Sequence, residues 1–253
     1  MYKFVNYKMK EQEVIQHIVN WLSEYQKKSG ADGFVVGISG GVDSALTSIL
    51  AAKTKLPTLC IEMPIHQNKK QVERGRNHIK WLKNKFENVT NSEIELTNVF
   101  DSFVENLPKS HTGNNDLSLV NVRARFRMTA LYYYAQMNNY LVVGTGNKVE
   151  DFGIGFFTKY GDGGVDISPI ADLNKSEVRK LAKFCGIKSE IINTPATDGL
   201  WDDGRTDEDQ IGASYEELEW AMTNNHTQNL TKRQKEVCDI YTKLHGLNQH
   251  KMA

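Results

Sequence analysis

Gly33-Phe-Val-Val-Gly-Ile-Ser-Gly-Gly-Val-Asp-Ser44 is the stretch on which the reading of this 253-residue chain turns. Its first half is a short apolar run bounded by glycine, the mark of a buried strand over 34–38. Its second half, Ser39-Gly-Gly-Val-Asp-Ser44, joins that strand to a helix predicted over 43–55. Two adjacent glycines let the backbone approach a ligand closely, and the unpaired N–H groups of a helix start point at whatever binds there. The hexapeptide therefore reads as an anion cradle. It lacks the Gly-Lys-Ser/Thr ending of the Walker loop and the G-x-G-x-x-G spacing of the dinucleotide fingerprint. An ordinary tight turn has the same composition, but open α/β sheets bind ligands at the carboxyl ends of their strands, where this turn stands.

Outward from this stretch the pattern alternates between helix and strand. Val14, Ile15, Ile18, Val19, Leu22 and Tyr25 fall at helical spacing over 10–28. A strand over 58–63 closes at Pro64, a helix covers 67–83, and a weaker strand is expected over 93–96. A long helix over 117–137 feeds the apolar strand 140–144, and Asn174-Lys-Ser-Glu177 offers a capping box for a helix reaching 184. Strands separated by helices predict an α/β fold: a doubly wound parallel sheet with helices on both faces. A helical C-terminal extension follows, with helices beginning at Ser214-Tyr-Glu-Glu217 and spanning 231–244. No internal repeat or low-complexity linker divides the chain, so one domain over 1–253 is expected. Residues 194–210, rich in Asp, Gly and Thr, read as a mobile loop. Its part from 198 to 210 is expected to close over a bound ligand, with Leu200 or Trp201 as the apolar anchor.

Composition narrows the function classes. Lys plus Arg and Asp plus Glu both number 31, so no global basic footprint invites nucleic acid or a membrane surface. The longest apolar runs fall well short of the ~18 residues that span a bilayer. The lysine-bearing start is not followed by an apolar core and cleavage site, and Cys60, Cys185 and Cys238 form neither a disulfide framework nor a zinc pattern. A cytoplasmic protein is expected. His17, His66, His78, His111, His226 and His245 sit in no ligand spacing and read as structural or surface residues.

Ser39-Gly-Gly-Val-Asp-Ser44 resembles the pyrophosphatase loop of enzymes that cleave ATP to AMP and pyrophosphate while adenylating a substrate. Gly155-Phe-Phe-Thr-Lys-Tyr-Gly-Asp-Gly-Gly164, with Asp166-Ile-Ser-Pro-Ile170 and Leu173-Asn-Lys175, is similar to the NAD synthetases within that group. So are Asn121-Val-Arg-Ala-Arg-Phe-Arg-Met128, Gly144-Thr-Gly-Asn-Lys-Val-Glu150, Ala196-Thr-Asp-Gly-Leu200, Thr206-Asp-Glu-Asp209 and His250-Lys-Met252, in order along nearly the whole chain. The resemblance implies that ATP adenylates the nicotinate carboxylate of deamido-NAD, and that ammonia then displaces AMP to give NAD.

The resemblance also implies roles for residues. ATP contacts fall on Gly37, Ile38, Ser39, Gly40, Gly41, Val42, Asp43, Ser44, Thr145, Lys175 and Thr197, with Asp43 and Lys175 as the catalytic pair. The family's Pro-Thr-Ala-Asp-Leu is here Thr-Pro-Ala-Thr-Asp-Gly-Leu, which fixes the alignment of Thr197 only to within one position. Magnesium carboxylates fall on Asp43 and Glu150, and contacts to deamido-NAD on Arg125, Lys159, Asp166, His250 and Lys251. The chemistry needs such groups. Attack of a carboxylate on the α-phosphate brings anions together, and magnesium and a lysine neutralise the charge that develops on pyrophosphate. Glutamine-dependent relatives carry a fused amidase domain for which this chain has no room, so free ammonia is the expected nitrogen source. A homodimer is expected, with the helix carrying Tyr132-Tyr-Tyr134 at its interface. A tRNA partner would want a basic surface that the charge balance does not offer, and a silent nucleotide binder would not need two separated carboxylates beside the cradle.

Overall fold

The computed structural model describes residues 9–108, 115–197, 205–224 and 229–252. Glycine-bounded apolar runs form the centre of a parallel sheet in the order β3-β2-β1-β4. The strands are β1 (Gly33–Gly37), β2 (Thr58–Glu62), β3 (Val89–Glu93) and β4 (Tyr140–Val143). Gly37 is level with Ile61 of β2, and Val36 with Val143 of β4. Strand alternation sends side chains to opposite faces. Phe34, Val36, Cys60 and Val89 meet α1 (Glu11–Ser29), α2 (Val42–Lys53), α3 (Lys69–Lys85) and α6 (Lys175–Phe184) on one side. Val35, Leu59, Ile61 and Val142 meet α4 (Thr97–Glu105) and α5 (Asn115–Asn138) on the other. The doubly wound α/β reading holds. The order reverses between β1 and β4, so the crevice at the carboxyl ends of these strands is the topological switch point where such sheets bind ligands.

The expected C-terminal extension is present. The short α7 (Ser189–Ile192) is followed by α8 (Asp207–Ile211), α9 (Tyr215–Asn224) and α10 (Lys232–Met252). The last three build their own apolar cluster around a π-helical stretch, Val149–Ile154, that follows β4. Helix α10 runs well past the expected end at 244 and carries His250 and Lys251 in its last turn. The added turns are held by side chains that donate to backbone carbonyls. His245 Nδ1 reaches Gly153 O at 2.8 Å, Asn248 Nδ2 reaches Ile154 O at 2.9 Å, and Lys251 Nζ reaches Gly155 O and Phe157 O at 2.9 and 2.8 Å.

Two expectations are corrected, and one helix was not expected. Strand β3 lies at Val89–Glu93 rather than 93–96, because the apolar Ile94 and Leu96 pack past the strand end onto the α5 side of the sheet. Helix α4 has too weak a sequence signal to be expected, since Phe100 is its only buried residue. The far end of the expected mobile loop is a capped helix: Thr206 Oγ1 accepts from Asp209 N at 3.1 Å, and Asp207 and Ile211 are buried. Acidic residues suit a helix's first turn, where they oppose the positive end of its dipole. Residues 198–204 of that loop, including Leu200 and Trp201, and also His111 and His226, lie outside the described residues. Among the others, His17 is exposed, His66 pairs with Asp101 and His78 hydrogen-bonds Ser48. No described helix is long and apolar enough to cross a membrane.

Candidate active site

The carboxyl ends of β1, β2 and β4 open into a cavity of about 440 Å³. At its floor β1 hands over to α2 through Ser39–Gly41. Gly40 has φ of +80°, a conformation that favours glycine, and a Cβ there would lie 2.5 Å from the carbonyl oxygen of Gln71 in α3. Hydroxyls knit the turn. Ser44 Oγ accepts from Ser39 N at 3.2 Å, and Ser39 Oγ accepts from Gly41 N at 3.2 Å. The first intrahelical bond of α2 runs from Ala45 N to Gly41 O, so the N–H groups of Val42, Asp43 and Ser44 precede the ladder. The helix start thus has the unpaired N–H groups that the sequence suggested.

An ion triad built on a buried lysine stands beside this turn. Lys175, at the first position of α6 and 2 % exposed, donates from Nζ to Asp43 Oδ2 at 2.7 Å and to Glu150 Oε1 at 3.0 Å. The three residues come from the start of α2, the π-helical stretch and the start of α6, so the tertiary fold alone joins them. A cation at a helix N-terminus opposes the helix dipole. Here the carboxylates outweigh that cost: although burial pulls it down, Asp43 and Glu150 hold the Lys175 ammonium above its ordinary pKa. Two neighbours fix the frame. Asn147, fully buried, donates from Nδ2 to Asp43 Oδ1 at 3.1 Å and accepts on Oδ1 from the N–H groups of Val149 and Glu150. Glu219 of α9 accepts from both Ser176 N and Ser176 Oγ, pinning the turn that carries Lys175.

With one cation and two anions the triad keeps a net negative charge facing the cavity. Asp151 adds to it. Its carboxyl lies over Gly146, where a Cβ would come within 2.2 Å of both oxygens. Burial, then the charges of Glu150, Asp162 and Asp43, push its pKa up to about 7.

The sequence-predicted residues divide into two groups. Gly37, Ile38, Ser39, Gly41, Val42, Asp43, Ser44, Thr145, Glu150, Lys175, Thr197 and Lys251 line the cavity. Gly40 packs behind the loop on α3. Arg125, Lys159 and His250 are joined to each other outside that lining: Arg125 Nη2 donates to Lys159 O at 3.3 Å, and Lys159 Nζ donates to His250 O. Asp166 is exposed and accepts from Tyr132 Oη at 3.0 Å and from Val142 N at 2.8 Å. Sequence reasoning missed Asn147, Asp151, Tyr215 and Arg127. Arg127 lines the cavity and donates to Met63 O and Gln67 Oε1. An asparagine just before a helical stretch is a capping signal that would have flagged Asn147; the other three carry no local signal.

The sequence profile of the NAD synthase family matches residues 14–252. The chain is 36% identical over 240 residues to the NH(3)-dependent NAD(+) synthetase of Malacoplasma penetrans, an alignment covering 94% of this chain and 91% of that one. Among solved structures, NMN synthetase from Francisella tularensis superposes with a TM-score of 0.85 at 32% identity, over 97% of both chains. The NH3-dependent NAD synthetase of Campylobacter jejuni, in complex with nitrate, gives a TM-score of 0.77 at 28% identity, also over 97% of both chains.

Proposed function

The chain belongs to the NAD synthase family, and from that premise we propose that it amidates deamido-NAD to NAD with ammonia at the expense of ATP. The observation that carries the reading is the buried Lys175 between Asp43 of the phosphate cradle and Glu150 of the opposite wall. In the first half-reaction a nicotinate oxygen attacks the α-phosphorus, the bond to the β-phosphate oxygen breaks, and pyrophosphate leaves. The amides opening α2 and the Lys175 ammonium meet the charge that grows on the leaving group. In the second half-reaction ammonia attacks the acyl carbon of the adenylate, loses a proton, and AMP departs.

Magnesium fits the donor set. Among the described residues no cluster of three or more His, Cys, Asp or Glu side chains forms a metal cage. Two carboxylates with excess negative charge beside a phosphate cradle suit an ion that reaches the site with nucleotide phosphates and keeps some of its water. Asp43 and Glu150 would hold it, and when bound it neutralises phosphate charge. Thr145 and Thr197 would complete the ATP side. Arg125, Lys159, Asp166, His250 and Lys251 would serve the dinucleotide, with Lys251 inside the cavity and Arg125, Lys159 and His250 linked at its margin. The whole chain, 1–253, would act as one unit in a homodimer whose interface includes α5, where Tyr133 is 59% and Met137 67% exposed. Cys60, Cys185 and Cys238 are buried free thiols, which suits the cytoplasm.

Purified protein should release AMP from ATP only with magnesium, deamido-NAD and ammonium together, and glutamine should fail to replace ammonium. AMP release without deamido-NAD would refute the reading. The likeness to an NMN synthetase favours one second reading, amidation of nicotinate mononucleotide. A parallel assay with that substrate decides between them, since the preferred acid is the one with the larger kcat/KM.

A further inference from the structure

Tyr215 opens α9 and is fully buried. Its hydroxyl lies 2.5 Å from Glu150 Oε1 and 3.2 Å from Asp207 Oδ2, and its ring lies under Lys175, with Nζ 4.6 Å from the centroid. A tyrosine needed only for packing would not place its hydroxyl between two carboxylates, because a buried polar group is costly unless it is used. A phenol carries its proton at neutral pH, so the hydroxyl can donate. One proton serves one acceptor, and the shorter contact selects Glu150. Lys175 donates to the same oxygen, Oε1. Two donors thus converge on Oε1, while Oε2 meets no donor among the described residues.

We propose that Tyr215 is a positioning residue that fixes the orientation of Glu150 and leaves Oε2 as the oxygen offered to the nucleotide-bound metal. The proposal rests on the reading of Glu150 as a magnesium carboxylate. The ring, through its contact with Lys175, steadies the cation of the triad; the hydroxyl alone orients the carboxylate. Partners that orient metal ligands in this way are typically worth about 10- to 100-fold in metal affinity.

The test separates hydroxyl from ring. Binding of Mn2+ to the protein is titrated with the uncleavable α,β-methylene analogue of ATP present, free metal being read by electron paramagnetic resonance, and thermal unfolding is followed in parallel. Y215F keeps the ring and its packing. It should weaken Mn2+ binding by about 10-fold or more, while D207N, which leaves the Tyr215–Glu150 bond in place, should change it less than twofold. Should Y215F not fold, para-fluorophenylalanine at position 215 fills the hydroxyl's volume without donating a proton and should give the same loss. Unchanged Mn2+ binding in the variant lacking the hydroxyl, whatever its melting temperature, overturns the proposal. Equal losses in Y215F and D207N also overturn it, since both would then report a general loosening of α8 and α9. If the unsubstituted protein binds no Mn2+ with the analogue, the reading of Glu150 fails and takes the proposal with it.

Discussion

Glu62→Gln should change the pH dependence of stability, and the size of the change follows from where Glu62 sits. It is the last residue of β2, 4% exposed, and lines the cavity. No donor reaches its carboxyl among the described residues. The guanidinium whose charge acts on it, Arg76, is committed to Glu93 through bonds of 3.0 Å from Nε and 2.5 Å from Nη2. Burial first, and then the charge of Glu93, push the Glu62 pKa up to about 7 from 4.5, against the pull of Arg76. Between these values the folded protein holds a proton that the unfolded chain has released, so stability falls as pH rises from about 4.5 to 7. A pKa difference of one between the folded and unfolded states corresponds to about 1.4 kcal/mol, which makes the wild-type loss between pH 5 and 8 about 2–3 kcal/mol. A glutamine at this position cannot ionise. Urea unfolding at matched ionic strength should therefore show the stability of E62Q relative to wild type rising by that amount between pH 5 and 8, with unchanged m-values. Parallel curves for the two proteins over this range would refute the reasoning, whatever constant offset the buried amide introduces.

Four further outcomes are expected. Lys175→Met should cost about 1–3 kcal/mol in unfolding free energy, because it takes a buried donor from two half-buried carboxylates, and should abolish turnover; a melting temperature equal to wild type would contradict the triad's role. Asp43→Asn should lower kcat by about 100- to 1,000-fold with little change in deamido-NAD binding by calorimetry, since the pyrophosphate charge develops in the transition state. Lys159→Ala should do the reverse, raising the dissociation constant of the dinucleotide while leaving ATP affinity within twofold. Gly40→Ala should destabilise by more than ~1 kcal/mol from backbone conformation alone, and by more once the Cβ meets Gln71 O, as chemical denaturation would read.

Most of the sheet was legible because β1, β2 and β4 read as continuous apolar runs, and each falls within a residue or so of its expected bounds. Strand β3 is at the edge beside β2 and, unlike the other edge strand β4, is mostly polar. Four of its five residues, Thr90-Asn-Ser-Glu93, are polar and only Val89 is buried, so the apolar signal just beyond it drew the expectation forward. In α8 composition misled, because acidic residues that look like a solvated loop also stabilise the first turn of a capped helix. The glycine turn and the unpaired amides at the start of α2 were legible from local backbone chemistry. Asp43, Glu150 and Lys175 were legible only through the family resemblance, since the bond between Asp43 and Lys175 joins residues 132 positions apart. Tyr215 and Glu62 could not be found at all from sequence, because what makes them notable is the burial of a polar group, which packing alone decides.

The pairing of β1 with β4, which sets Gly33 beside Tyr140, has a consequence for the order of folding. The neighbouring β1–β2 pair closes a loop of about one βα unit, whereas the β1–β4 seam encloses three such units and α5. Closing a longer loop costs more entropy, and contacts distant in sequence form late. The cavity straddles this seam, so a half-folded chain with β1, β2 and β3 joined has the glycine turn but not the wall that carries Glu150. ATP then has little to recognise before the seam zips, and its binding should act as a clasp on the finished molecule. A nucleotide at 100 times its dissociation constant would add about 2.7 kcal/mol of stability. That gain should appear almost entirely as slower unfolding, with the refolding rate unchanged, as expected for interactions absent from the transition state.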